Sequence, residues 1–285
     1  MGGGTRAPGR LRATSLLAAV GAFSGLPPAA PPVGRFARPD VPGDLAPVLD
    51  ALPRPARAWV LDPLGRDAPP PARGRPRTLA LPAAEGVLAP ARQVDERTCG
   101  AAVLSMLSLA GDPRRALELA RWPTGPAAAF AGLQRRWHAR TTHGPGGLLT
   151  RLPSWPAALG TPPWGAARVA RYGRVRYTHR VVGGRGARGV LAAAVDAAAA
   201  GVPVPLYTGG DLARGVATAV PRHVVLLTAV GGGLATLYEP SSGRLHSVPV
   251  ATLTADDGGD SRVLGPALGG WPHVVWALLP RDARG

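Results

Sequence analysis

Lysine, isoleucine and asparagine are absent from this 285-residue chain, and cysteine occurs once, at Cys99. A single thiol excludes an intrachain disulfide framework and a zinc cluster built from several cysteines. No apolar run approaches the roughly 18–20 residues that a bilayer-spanning helix needs. The missing residue types have A/T-rich codons, whereas Gly (39) and Pro (33), with G/C-rich codons, are abundant. The composition is that of a GC-rich genome, and this changes how the formal charge of +16 is weighed. Every basic residue is Arg, scattered along the chain rather than gathered in a block. A nucleic-acid-binding stripe would collect its cations on one face, so nucleic-acid binding ranks last among the readings. With 46% hydrophobic and 18% charged residues the chain has material for a real core, which excludes wholesale disorder.

Residues 1–87 differ from the rest. Arg6, Arg10 and Arg12 precede an apolar stretch, Ala13–Leu26, in the manner of a secretory signal. Gly21, Ser24 and Gly25 interrupt it and no clean A-x-A site follows, so the reading leans to the cytoplasm and leaves secretion open. A short helix is expected over Asp44–Leu52, a short strand over Ala58–Leu61, and an exposed Pro/Arg-rich connector over Asp67–Arg77. These residues form an accessory or poorly ordered extension in this reading, and residues 88–285 form the functional domain.

That domain reads as α+β. Thr98–Ala110 is a buried helix, with Gly111 at its C′ position. Asp112-Pro113 supplies an N-cap and first residue for a second helix, and others follow over Pro126–Ala139, Thr161–Arg171 and Gly189–Ala200. Val202–Thr208, His223–Val230, Leu234–Glu239, Arg244–Val250 and His273–Leu279 read as strands. A helical lobe followed by an antiparallel sheet lobe, with a groove between them, is the expected layout.

Chemistry concentrates at few residues. Cys99 opens the first helix of the domain, where the helix dipole and free N–H groups favour a thiolate. Gly100 after it leaves room for a substrate against the sulfur. Gln93, six residues upstream, can aim an amide N–H back at the thiol and form, with the Cys99 N–H, a two-donor oxyanion hole. His223 opens the best strand, and Gly231–Gly233 marks a hairpin into the next. A three-residue loop pairs Val230 with Leu234, Val225 with Glu239 and His223 with Ser241. Glu239 and His223 then become same-face diagonal neighbours, with Cα atoms about 7–8 Å apart. A carboxylate there would hold one imidazole tautomer, as the third member of a nucleophile–base–orienter triad does.

Taken together, Gln93, the Cys99-Gly100-Ala101-Ala102 helix start with Met106, Gly111, His223-Val224-Val225, and Glu239-Pro240 with Gly243 resemble a papain-like cysteine peptidase. The resemblance is strongest to the branch that cleaves double-glycine leader peptides ahead of bacteriocin exporters, and to its stand-alone relatives. It covers roughly residues 88–281. It implies Cys99 as nucleophile, His223 as general base and acid, Glu239 as orienter and Gln93 as oxyanion donor, acting on a peptide or protein substrate without a cofactor. The chain departs from the family in carrying Glu239 where Asp is usual. It also has no Walker A motif, and residues 1–87 have no counterpart in the family. No metal site is expected, because Arg135, Arg136 and Arg140 around His138 and His143 would repel a cation. A catalytically silent papain-like module that binds peptides through the same groove is the principal alternative.

Overall fold

The computed structural model describes residues 39–82, 88–142, 160–210, 221–255 and 259–281. The signal-like stretch at Ala13–Leu26, His143 and Trp155 lie outside the described residues. Among the described residues one antiparallel sheet of eight strands carries the helices, a mixed α+β arrangement. Its strands are β1 (Arg77–Thr78), β2 (Arg171–Tyr172), β3 (Val175–Val181), β4 (Val204–Gly209), β5 (His223–Gly231), β6 (Leu234–Glu239), β7 (Arg244–Pro249) and β8 (His273–Arg281). They run in the order β1-β7-β6-β5-β4-β8-β3-β2. Helices α1 (Ala46–Asp50) and α2 (Arg54–Leu61) precede β1. Helices α3 (Cys99–Ala110), α4 (Pro113–Ala120), α5 (Pro126–Thr142) and α6 (Pro163–Val169) lie between β1 and β2. Helix α7 (Ala187–Ala199) joins β3 to β4, and α8 (Val250–Leu253) and α9 (Ser261–Leu264) precede β8.

Helices and strands are therefore interleaved rather than split into a helical half and a strand half. The sequence reading omits β2 and β3, yet β3 carries a period-2 signal. Val175, Tyr177, His179 and Val181 alternate with Arg176, Thr178 and Arg180, and Val175, Tyr177 and Val181 are buried. The polar half of the alternation is mostly arginine, which hides the strand from a search for Val- and Leu-rich runs.

Helix α3 is apolar on every side because it is enclosed on every side. All its residues are buried, between α5 and β5. Its two hydroxyls are satisfied inside that packing. Ser105 Oγ donates to the Ala101 carbonyl at 2.8 Å, and Ser108 Oγ accepts from Arg115 at 2.8 Å. Asp112 caps α4 as expected, accepting from the Arg114 and Arg115 N–H groups with Pro113 at the first helical position. Helix α6 starts later than expected, at Pro163, with Pro162 rather than Thr161 at its cap.

The described part of this extension, residues 39–82, packs against the rest of the fold across the expected boundary at residues 87/88. Leu64, Leu79 and Leu81 belong to the core that contains α3, and β1 pairs with β7. Leu45, Leu49 and Val60 form a second cluster with Ala116 and Leu117 of α4. Ala58–Leu61 is helical rather than a strand, because Ala56, Trp59 and Val60 face inward at i, i+3 and i+4 spacing while Arg57 and Ala58 are exposed. A buried Arg66 fastens the segment down, donating to the Tyr172 hydroxyl at 3.1 Å and to the Gly201 carbonyl at 3.0 Å.

Gly111 ends α3 with φ −92°, so it is not the left-handed C′ residue that was expected. Its glycine is needed for close approach instead. A Cβ there would lie 2.5 Å from the Gly173 backbone nitrogen and 2.7 Å from the Tyr172 Cα. Gly111→Ala is expected to destabilise the protein by about 1–3 kcal/mol through overpacking against backbone that cannot yield. A urea-unfolding midpoint equal to that of wild type would refute this account of the turn.

Candidate active site

Cys99 is the first residue of α3. The preceding cap residue, Thr98, does not cap the helix with its side chain. Its hydroxyl is held by Asp95, donating to the Asp95 carbonyl at 2.9 Å and accepting from the Asp95 N–H at 3.0 Å. No acidic residue occupies the first turn. The positive end of the helix dipole is thus left without a side-chain acceptor, which suits an anionic sulfur.

The β5–β6 hairpin brings His223 and Glu239 together by a route different from the expected one. The turn has two central residues, Gly232 and Gly233, both at positive φ (56° and 75°), so Gly231 pairs with Leu234 and Val230 with Ala235. This is one residue out of step with the expected register. A bulge between Leu227 and Ala229 then restores it, giving Leu227 opposite Leu237 and Leu226 opposite Tyr238. Continued one step, this register sets Val225 against Glu239, as expected from the sequence. His223 Nε2 lies 2.8 Å from Glu239 Oε1.

Both side chains are buried, His223 to 9% exposure and Glu239 to 3%. The carboxylate is fully supplied with donors: besides His223, Oε1 accepts from the Ser241 N–H at 2.7 Å and Oε2 from the Ser242 N–H at 2.9 Å. Burial pushes the Glu239 carboxyl up, but the bonds from His223, Ser242 and Ser241 outweigh it and hold the group well below the ordinary carboxylate range. Burial likewise pulls the His223 imidazole down, while hydrogen bonds with Cys99 and Glu239, and their charges, raise it to about 9. Nε2 faces Glu239, which leaves Nδ1 as the ring nitrogen that can exchange a proton with the thiol. The longer Glu reaches because its turn folds back: Gly243, at φ +67°, donates its N–H to the Glu239 carbonyl at 2.9 Å.

Gln93 lies beside this turn. Its N–H donates to the Pro240 carbonyl at 2.8 Å, and Arg92 donates to the Ser241 carbonyl at 2.9 Å, which laces the 91–95 loop to the Glu239 turn. The Gln93 side-chain amide does not reach back to the thiol as expected. It donates to the Asp95 carbonyl at 2.9 Å, and its buried Oε1 has no hydrogen-bond partner. Gly100 differs from expectation as well. The space a side chain would fill is taken by Thr161, whose Cβ and Oγ1 would lie 2.7 and 2.8 Å from a Cβ at this position, so this face of the helix holds α6's lead-in rather than a substrate.

Four contributors escape the sequence reading. Gly269, at φ +68°, seats its backbone against the imidazole, where a Cβ would fall 2.3 Å from His223 Cδ2. Ser241 and Ser242 act through backbone N–H groups, legible only as a turn-forming Pro-Ser-Ser-Gly run. Tyr207 on β4 is fully buried with an unpartnered hydroxyl, and the charge on Cys99 adds to the burial that raises its own ionisation well above the ordinary value. Among the described residues no group of three or more His, Cys, Asp or Glu could hold a metal ion, and no helix is long and apolar enough to cross a membrane. Compared with known protein families, curated proteins and solved structures, the chain matches none.

The raised imidazole contributes stability that is complete below about pH 6.5 and lost as pH rises through about 9. The depressed carboxyl contributes stability present above about pH 4.5 and lost as pH falls. Removing the charge in Glu239→Gln is therefore expected to lower stability by about 3–5 kcal/mol, the usual loss when one partner of a buried pair is removed. The loss is largest between about pH 4.5 and 6.5, where both contributions are complete. NMR of the His223 ring checks the cause: its titration midpoint, about 9 in wild type, should fall in the variant, since burial then acts with less opposition. An unmoved midpoint would mean that Glu239 does not set the ring's protonation.

Proposed function

We propose that this protein is a cysteine peptidase of papain-like type, hydrolysing amide bonds through Cys99, His223 and Glu239. The observation that carries the reading is the buried imidazole held 2.8 Å from a buried carboxylate, with the thiol at a helix start among the groups that raise its ionisation. Cys99 is only 4% exposed, and burial alone would suit a packing role. A packing cysteine, however, has no need of an imidazole–carboxylate pair beside its sulfur, an arrangement whose desolvation opposes folding.

In this mechanism His223 Nδ1 takes the Cys99 proton and the thiolate adds to the substrate carbonyl carbon. The resulting oxyanion is met by the Cys99 N–H and by the Gln93 amide, once that amide leaves the Asp95 carbonyl. The imidazolium returns its proton to the departing amine, leaving a thioester on Cys99. Water, deprotonated by His223, attacks the thioester and releases the carboxylic acid, and the proton returns to the sulfur. Glu239 stays ionised throughout and keeps Nε2 protonated, so that Nδ1 remains the working nitrogen. The engagement of Gln93 by Asp95 favours one second reading, a module that binds peptides without cleaving them.

The two readings separate by experiment. Wild-type protein is expected to react with iodoacetamide at neutral pH at least tenfold faster than free cysteine, and His223→Ala to lose roughly 100-fold of that rate, the scale of acid–base assistance. A mixture of peptides incubated with wild type should yield cleavage products that Cys99→Ser does not make. Labelling that is equally fast in wild type and His223→Ala would overturn the peptidase reading, and fast labelling without cleavage would select the silent module.

A further inference from the structure

A second site lies at the far edge of the sheet from β8. Strand β1 covers only the start of β7, pairing with Arg244 and Leu245. Beyond that point the 72–76 turn and α9 flank β7, and a cavity of about 280 Å³ opens among them. Its lining includes Arg73 and Arg75 from the turn, Arg262 from α9, and His246 and Ser247 from β7, with no acidic side chain among the described residues.

Arg73, Arg75 and Arg262 are exposed, and their charges are not spent on bonds among the described residues of the fold. Arg66, Arg77, Arg92 and Arg115 donate to fixed carbonyl, hydroxyl or carboxylate acceptors. The guanidinium groups of Arg73, Arg75 and Arg262 have no such acceptor among the described residues. The nearby carboxylate of Asp260 accepts from the Arg262 backbone N–H at 2.9 Å, capping α9. Two buried polar atoms of the same lining, His246 Nε2 and Ser247 Oγ, have no hydrogen-bond partner, and Ser247 is only 8% exposed. Buried donors without acceptors destabilise a fold unless something else supplies the acceptor. Three exposed guanidinium groups and one buried, unpartnered hydroxyl, Ser247 Oγ, around one small cavity match a compact group with several acceptor oxygens and negative charge.

We infer that this cavity binds a phosphate group, either the free ion or a small phosphate monoester, through Arg73, Arg75 and Arg262, with Ser247 and His246 of β7 in its lining. Arginine suits that ligand because its planar fork matches two phosphate oxygens at once. The volume admits a phosphoryl group with a small organic substituent. The site stands apart from Cys99 and does not depend on the peptidase reading.

The test uses the full chain, titrated with inorganic phosphate at constant ionic strength and followed by calorimetry and by the His246 ring signals in NMR, with chloride as the control anion. Phosphate is expected to bind saturably and shift the His246 signals where chloride does neither. The combined variant Arg73→Ala, Arg75→Ala, Arg262→Ala is expected to bind at least tenfold more weakly, and Ser247→Ala to weaken binding on its own. Retention of the wild-type Cys99 labelling rate in these variants reports an intact fold whether that rate is fast or slow. Phenyl phosphate serves as a second probe: tighter binding than inorganic phosphate supports a monoester ligand, and equal binding supports the free ion. Chloride acting as phosphate does, or the triple variant binding as wild type does, would overturn the assignment.

Discussion

An ionised carboxylate and an imidazolium can sit inside a protein only if their lone pairs and protons are all taken up, and here that requirement organises a large part of the molecule. Glu239 needs the N–H groups of Ser241 and Ser242, so the chain after β6 must turn back at once, and Gly243 at positive φ permits it. The 91–95 loop closes over that turn by bonds from Gln93 and Arg92, and the same loop leads directly into α3. On the other side Gly269 seals the imidazole face. The sulfur, the imidazole and the carboxylate are thereby fixed by backbone, through three separate stretches of chain that meet only in the folded state.

Much of this was legible before any coordinates. The α3 helix, the Asp112-Pro113 start of α4, the β5–β6 hairpin and the shared face of His223 and Glu239 all follow from local patterns: apolar spacing, a capping pair, and alternation on either side of a glycine turn. What was not legible depends on contacts between distant residues. The amide of Gln93 is taken by a carbonyl two residues away, a choice no spacing rule distinguishes from reaching back to the thiol. Gly100 reads as an opening beside the nucleophile until Thr161, sixty residues on, is seen to occupy it. Gly269 is one of several Gly-rich turns until it is found against the imidazole.

The segment before residue 88 shows the same limit from another side. Its proline- and arginine-rich composition suggests a separate extension, yet Leu64, Leu79 and Leu81 are core residues and Arg66 is bonded into the interior. Composition averages over a segment, whereas burial is decided residue by residue. Leu64, Leu79 and Leu81 are enough to join this stretch to the domain, and β1 covers part of an otherwise open sheet edge with only two residues.

The bulge near Thr228 separates two jobs that a regular hairpin would have to share. In an unbroken ladder any change of loop length at the tip is transmitted down both strands and rotates every side chain to the opposite face. Here a phase slip at the tip and an equal slip in mid-strand cancel, so Leu226 and Tyr238 face one another as a longer loop would have set them. The mid-strand irregularity works as a gear between the outer end of the hairpin and the end that carries the imidazole. Loop lengths at Gly232–Gly233 and side-chain placement at His223 become separable properties, and variation at one end of the ribbon need not disturb the other.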